Sequence, residues 1–219
     1  MKEKEIEDEL VSIRSMMERS SKFISLSGLA GILAGVYALI GAGLAYYFHY
    51  GDIPNSNPSI PLKPTQSQSN VISGGFYIKI IIPPLLIIAL LVLIAAVGTA
   101  ILLSIRKAKR KGQPVWSNTS RLLLFNMAVP LVSGGALVLI HLFRGHYGLI
   151  APSCLVFYGL SLVAASNFTF NDVKYLGLSE IVIGLIAACL PGYGLLFWAI
   201  GFGVLHIIYG SLMYLKYDK

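Results

Sequence analysis

Six blocks of apolar residues run through the chain, and each is long enough to cross a lipid bilayer as a helix. A helix needs roughly 20 residues to cross a hydrocarbon core about 30 Å thick. Because lipid offers no hydrogen bonds, a crossing segment must satisfy its own backbone groups, as a helix does. The sequence therefore predicts an all-α fold, a polytopic membrane helix bundle with six transmembrane helices. The spans are expected at about 23–48, 84–105, 122–142, 149–165, 175–190 and 195–215.

The amount and the placement of charge exclude a water-soluble domain. Charged residues make up 12% of the chain, against about a quarter in soluble domains. The net charge of +7 could indicate nucleic acid, but most basic residues stand before the first block, between the second and third, and after the last. By the positive-inside rule, those segments are cytoplasmic. We therefore expect a multi-pass membrane protein with cytoplasmic N- and C-termini and no nucleic-acid partner.

Residues 1–22 are predicted to form a short amphipathic cytoplasmic helix before the first span. Ile6, Leu10, Ile13 and Met17 recur at helical spacing among charged residues, which makes one apolar stripe. Such a helix could lie on the membrane, dock on the protein's own loops or pair with a second copy. The sequence therefore does not decide between a protein partner and a homo-oligomer.

Two connecting segments have contrasting compositions. Residues 51–75 combine prolines with Ser, Asn and Gln, which predicts a flexible external loop. Residues 106–121 are predicted to be a basic cytoplasmic loop. A basic run next to a membrane exit sets topology and attracts anionic lipid headgroups, so the lipid bilayer is an expected partner. The residues of that run are Arg106, Lys107, Lys109, Arg110 and Lys111.

Small residues line one face of the first span. Since apolar surface alone does not drive helices together in lipid, small residues that allow close approach mark packing faces. The face contains a GxxxG pair, whose partner is a helix of the same chain or of another copy. Its residues are Gly28, Gly31, Gly35, Ala38 and Ala42.

Glu180 and His206 are the acid and the imidazole inside the last two spans, and they have the same sequence surroundings. Each has a glycine three residues before it and another four residues after it, namely Gly177 and Gly184, and Gly203 and Gly210. If residues 191–194 form the turn, the two side chains lie at matching depth, and we expect their glycine-lined faces to meet each other. A pair there is either polar glue between helices or a proton-accepting or ligand-binding site. The third reading is that Glu180 faces water at a misplaced boundary.

Four polar residues gather at the predicted outer ends of spans one and three: His49, His141, Arg144 and His146. Imidazole groups suit zinc, copper or haem iron. No metal-ligand spacing such as HxxxH is present, so interfacial anchoring is the favoured interpretation and no metal or cofactor is predicted. The sequence also contains no phosphate-binding loop, nucleophile elbow or HExxH motif, and no catalytic residue is predicted.

The stretches IRSMMERSSKFISLSGLAGILAG and GFGVLHIIYGSLMYLKY resemble the small uncharacterised six-span inner-membrane proteins of bacteria. That resemblance implies a helix bundle and carries over no catalytic residues. The first functional hypothesis is a non-enzymatic membrane protein with a sensory, regulatory or accessory role. The second is a small proton-linked transporter or channel that uses Glu180 and His206. The third is a haem- or metal-binding redox protein that uses the histidines.

Overall fold

The computed structural model describes residues 27–50, 71–110, 112 and 114–217, together with the isolated positions Leu10 and Ile13. Of the amphipathic helix expected over residues 1–22, only those two positions are described, and both are helical and exposed. Most of the predicted loop 51–75 also lies outside the described residues. In the bounds below, the helices are numbered α1 to α6 in chain order.

The described part of the chain is helical and contains no strand. A single 3₁₀ turn, Tyr147–Leu149, leads into α4. The last helix, α6, has three parts: Gly194–Trp198, a π-helical segment over Ala199–Leu205, and His206–Tyr217. The other helices are α1 Gly28–Tyr50, α2 Val71–Arg110, α3 Asn118–Phe143, α4 Ile150–Ser166 and α5 Asp172–Cys189.

Five of these helices are long and apolar enough to cross a membrane, which is consistent with a multi-pass membrane protein. The exception is α5. It is 18 residues long, but it contains three charged residues, Asp172, Lys174 and Glu180. The all-α bundle is therefore confirmed with five candidate spans, whereas α5, at the fifth expected span, has too many charged residues to be one of them.

Two predicted loop boundaries are wrong. The external loop was expected to reach residue 75, but α2 begins at Val71. The basic loop was expected over 106–121, but α2 continues to Arg110 and α3 begins at Asn118. Lysine and arginine are good helix formers and are favoured in a last turn, so the basic run extends α2. At the other side Ser117 caps α3, accepting a hydrogen bond from the Ser120 amide.

The helices pack in an order that differs from the chain order. Helix α1 lies between α2 and α6, while α4 lies between α3 and α5. The first part of α6 also contacts α4 and so joins the two groups. A buried apolar cluster fills the region where the end of α4, the start of α5 and the end of α6 meet: Leu162, Phe170, Val173, Leu176 and Met213.

Glycines make the two closest helix crossings. On α1, a Cβ built at Gly35 would lie 2.6 Å from the Gly203 carbonyl oxygen, and one at Gly31 would lie 3.1 Å from the Gly210 Cα. Gly28 likewise faces the backbone of α6 near Gly210. Further along α1, Ala38 and Ala42 are buried. The small-residue face of α1 therefore meets α6 of the same chain.

The second crossing joins α4 to α5. A Cβ at Gly177 would lie 2.7 Å from the Gly159 carbonyl oxygen, and one at Gly184 would lie 3.0 Å from the Leu155 Cβ. The glycines around Glu180 thus face α4, and those around His206 face α1. The expectation that these two glycine-lined faces meet each other is wrong, because Gly159 and the α1 glycines offer closer backbone approach on the opposite faces.

Candidate functional site

The carboxyl group of Glu180 is fully enclosed by the bundle. The residue lies in the middle of α5 and has 0% of its surface exposed. Neither carboxyl oxygen has a hydrogen-bond partner among the described residues. The nearest cationic or imidazole nitrogen is His206 Nδ1, 3.4 Å from Glu180 Oε1. The structure therefore brings Glu180 and His206 together at the distance of a weak ion pair and without a hydrogen bond.

Both ring nitrogens of His206 have hydrogen-bond partners. Nδ1 lies 3.0 Å from the Gly201 carbonyl oxygen, and Nε2 lies 2.8 Å from the Tyr158 hydroxyl oxygen. A carbonyl oxygen can only accept, so Nδ1 carries the hydrogen and donates it. In the neutral ring Nε2 then accepts from the Tyr158 hydroxyl. His206 is thus held in one orientation by two helices, α4 and its own.

The π-helical segment of α6 builds the space for this group. Its Gly201 supplies the carbonyl that His206 contacts. A Cβ at position 201 would lie 2.5 Å from Glu180 Oε2 and 2.5 Å from Leu155 Cδ2. A larger residue would therefore occupy the place of the carboxyl group. Isolated π-helical turns recur at functional sites in helical proteins, and here one lies directly beside a buried acid.

Two aromatic rings pack against His206. The ring centroids of Tyr158 and Phe202 lie 5.4 Å and 6.0 Å from that of His206. Phe202 also lies 5.2 Å from Tyr158 and 5.5 Å from Trp198. We call Glu180, His206, Tyr158 and Gly201 the buried polar cluster. Its setting is a low-dielectric one, where an unpaired charge is costly.

Sequence reasoning missed Tyr158 and Gly201. Gly201 lies five residues before His206, which is the offset of a π-helical turn and could have indicated it. Tyr158 gave no such signal, because it lies 48 residues away on α4. Its position follows only from the crossing of α4 with α5 and α6.

A second group of contacts joins three helix ends, which we call the charged end: Lys107, Phe170, Asp172, Lys216 and Tyr217. Asp172 accepts hydrogen bonds from the Tyr217 hydroxyl at 2.6 Å and from Lys216 Nζ at 3.0 Å. These two bonds, with that from Tyr217 the stronger influence, lower the pKa of the Asp172 carboxyl. Phe170 stacks on Tyr217 at 4.0 Å, and Lys107 lies 5.8 Å above the Phe170 ring.

The predicted basic run lies next to the charged end. Arg106, Lys109 and Arg110 are exposed on the last turns of α2, and Lys107 makes the ring contact described above. Lys111 lies outside the described residues. The ends of α2 and α6 and the turn between α4 and α5 are therefore at the same end of the bundle.

The structure brings only part of the predicted histidine cluster together. The rings of His141 and His146 lie 6.0 Å apart, and Arg144 is exposed just beyond α3. The side chain of His49 is outside the described part of the chain. Over the residues that the structure describes, no three His, Cys, Asp or Glu side chains are placed to hold a metal ion.

The buried polar cluster is the site with the most unusual chemistry in the described part of the molecule. It combines an acid without a hydrogen bond, an imidazole with two, and a glycine that leaves room for both. Such a group can take up or release a proton. Comparisons with protein-family models, curated proteins and solved structures find no match to the chain.

Proposed function

We propose that the protein is a six-span protein of the bacterial inner membrane with a non-enzymatic sensory, regulatory or accessory role. In this proposal α5 is the fifth of six spans in chain order. Its residues 175–189 rise by about 22 Å, which makes α5 a short crossing of a hydrocarbon core. Its two outer charges, Asp172 and Lys174, lie in its first turn, and the third, Glu180, is buried against α4 and α6.

The observation that carries the proposal is the charged end. If all six helices cross the membrane, α2, α4 and α6 end on the same side. The contacts from Lys107 to Phe170 and from Tyr217 to Asp172 support that arrangement. Since basic residues concentrate there, the positive-inside rule makes this side cytoplasmic. Both chain termini then lie in the cytoplasm.

The proposed role is exerted from this cytoplasmic side. Exposed Arg106, Lys109 and Arg110 form a basic surface at the end of α2. Together with the amphipathic segment 1–22, this surface is suited to a cytoplasmic protein partner, with anionic lipid headgroups holding it at the membrane. The role needs no catalytic group.

Labelling of single cysteines tests the topology. In a variant with Cys154→Ala and Cys189→Ala, a cysteine is introduced either as Gly148→Cys or as Asn118→Cys. Gly148 has open space around its Cα, and Asn118 begins α3 beside the predicted cytoplasmic segment. We expect a membrane-impermeant maleimide to label the first variant in intact spheroplasts and the second only after permeabilisation. The reverse pattern would exclude the proposed orientation.

Deletion of residues 2–20 tests the role. We expect the tagged full-length chain to retain a partner through purification, and both the deletion and the triple change Arg106→Gln, Lys109→Gln, Arg110→Gln to release it. A matched triple change of exposed apolar residues on α2, Leu91→Ala, Leu93→Ala and Ile94→Ala, should leave the partner bound. A partner that survives both cytoplasmic changes would contradict the proposed surface.

A second candidate function is proton-linked transport, and the buried acid favours it. Acids inside membrane helices commonly mark ion pathways, and Glu180 lies in the middle of α5 without a hydrogen-bonded partner. Reconstitution into liposomes with an internal pH-sensitive dye separates the two functions. Proton flux that Glu180→Gln abolishes would support transport, whereas flux equal to that of empty liposomes would leave the regulatory role.

A further inference from the structure

The hydrogen bonds of His206 are complete without Glu180. Nδ1 donates to the Gly201 carbonyl at 3.0 Å, and Nε2 lies 2.8 Å from the Tyr158 hydroxyl oxygen, from which the neutral ring accepts. A neutral imidazole has one donor and one acceptor, so both are used. Glu180 therefore does not have His206 as a dedicated donor, although Nδ1 is only 3.4 Å from Oε1.

An ionised carboxylate is unfavourable in the observed position of Glu180. Carboxylates are stabilised inside proteins by several hydrogen-bond donors or by a cation. Here the residue is 0% exposed, and neither of its oxygens accepts a hydrogen bond from a described residue. The titratable groups that face it are Tyr158 from α4 and His206 from α6. With the His206 ring neutral, as in the arrangement given above, and Tyr158 an un-ionised phenol, neither group carries a positive charge that offsets a carboxylate.

We propose that Glu180 is a proton-binding site, occupied in the packed bundle, and that His206 responds when the proton leaves. The ligand is a proton, bound as the neutral carboxylic acid. On release the O–H bond breaks, the proton passes to water, and the electron pair stays on the carboxylate. The carboxylate then competes with the Gly201 carbonyl for the single hydrogen on His206 Nδ1. One donor thus serves two acceptors, at 3.0 Å and 3.4 Å.

A change in the hydrogen bond of His206 Nδ1 affects a third helix, α1, through the π-helical segment. Gly201 and Gly203 both belong to that segment. Gly203 lies against α1, where a Cβ at Gly35 would meet its carbonyl oxygen at 2.6 Å. When Nδ1 turns toward Glu180, the Gly201 carbonyl loses the hydrogen bond from the imidazole, and the π-helical segment loses one of its constraints. Proton occupancy on α5 is therefore communicated through α6 to α1, whether or not the protein transports protons.

Infrared spectroscopy of the full-length protein in lipid nanodiscs tests the proton site. The other five glutamates lie within residues 3–18, and glutamate in water is ionised at neutral pH. We expect a protonated-acid carbonyl band at neutral pH that shifts when glutamate, but not aspartate, carries carboxyl ¹³C. Alkaline pH should abolish the band, and so should Glu180→Gln. A wild-type spectrum at neutral pH with no glutamate-dependent acid band would overturn the proposal, and that result needs no variant to fold.

Tryptophan fluorescence tests the response of the π-helical segment. Trp198 precedes this segment and packs on Phe202, and Trp116→Phe leaves it as the single tryptophan. We expect the Trp198 emission to change over the same pH range in which the acid band is lost. Asp172→Asn, a matched carboxyl change at the charged end, should keep that change, and Glu180→Gln should remove it. Emission that stays constant while the acid band disappears would show that His206 and the segment do not respond.

Discussion

Two residues on different helices decide how the ionisable pair is accommodated. Gly201 leaves the volume that the Glu180 carboxyl occupies, and Tyr158 completes the hydrogen bonds of His206. Neither residue is ionised or chemically unusual by itself. Their effect comes from position. A Cβ at Gly201 would collide with the Glu180 carboxyl group, and loss of the Tyr158 hydroxyl would remove a hydrogen bond of His206.

Gly201→Ala is expected to destabilise the protein. The added Cβ would meet Glu180 Oε2 and Leu155 Cδ2, each at 2.5 Å, and overpacking of this kind costs about 1–3 kcal/mol. Thermal unfolding in detergent, followed by circular dichroism, measures the loss. The control is Gly135→Ala on α3, where a Cβ meets nothing within 4 Å. That change should leave stability equal or raise it slightly, because alanine favours a helix. Equal melting temperatures for the two variants would contradict the packing described here.

Tyr158→Phe is expected to leave His206 Nε2 without a donor. An unsatisfied buried acceptor costs about 1–3 kcal/mol, while the aromatic contact with Phe202 at 5.2 Å is retained. Thermal unfolding should therefore show a loss that Tyr47→Phe does not, since the Tyr47 side chain on α1 is 69% exposed. A loss no greater than that of Tyr47→Phe would mean that the 2.8 Å contact contributes little.

Among the elements, the positions of glycine determine which helices approach closely. Helix α1 meets α6 through glycines on both helices, and α4 meets α5 through Gly159 and Gly177. Such crossings bring backbones together, so a substitution has backbone atoms as its neighbours. Backbone cannot give way as a flexible side chain can.

Gly210→Ala is expected to weaken the crossing of α1 and α6. Its Cβ would lie 2.5 Å from the Ile32 amide nitrogen and 2.8 Å from the Gly28 carbonyl oxygen. Because both neighbours are backbone atoms, we expect a loss of about 2–3 kcal/mol, at the upper part of the overpacking range. Gly43→Ala on α1 has open space around it and serves as the control in the same thermal melts. A Gly210→Ala protein as stable as the Gly43→Ala protein would show that the two helices are further apart than described.

The sequence predicts the helices better than it predicts their neighbours. Apolar block length locates all six described helices, and the small-residue pattern identifies the face of α1 that lies on α6. The same pattern around Glu180 does not tell which helix that face meets, because Gly177 fits α4 and α6 equally well on spacing alone. Helix ends are also shifted where charged residues continue a helix, as at Arg110. These choices depend on tertiary contacts, which periodicity does not encode.

At the scale of the whole molecule, two contact groups connect the start of α5 to the end of α6. One is the apolar cluster around Leu176 and Met213, and the other is the bonding of Asp172 to Tyr217 and Lys216. The main partners of α5 and α6 are otherwise α4 and α1, respectively. The charged end therefore helps to keep the two halves of the bundle together.

Stability should depend on acid pH through Asp172. Its pKa is lowered in the folded protein by the bond from Tyr217 and then by that from Lys216. A lowered pKa stabilises the fold above the unfolded value, and that stabilisation is lost as pH falls through the folded value. We expect the melting temperature to fall below roughly pH 4, and Asp172→Asn to remove this part of the dependence. At neutral pH the change should cost up to about 1 kcal/mol, as for a mostly exposed pair. Parallel plots of melting temperature against pH for the wild type and for Asp172→Asn would show that Asp172 does not contribute to the acid dependence.

The position of α2 has a consequence for assembly. Among the described helices it packs closely on α1 alone, and none of the residues in its most apolar stretch is buried. Removing it would leave the contacts of the remaining five helices in place. The chain can therefore assemble its other five helices before α2 docks. In a version cut within residues 51–70 and expressed as two pieces, α1 is separated from α2 and should still pack between α2 and α6 in the bilayer. Failure of the two pieces to associate would mean that covalent continuity, and not helix packing, keeps α1 and α2 together.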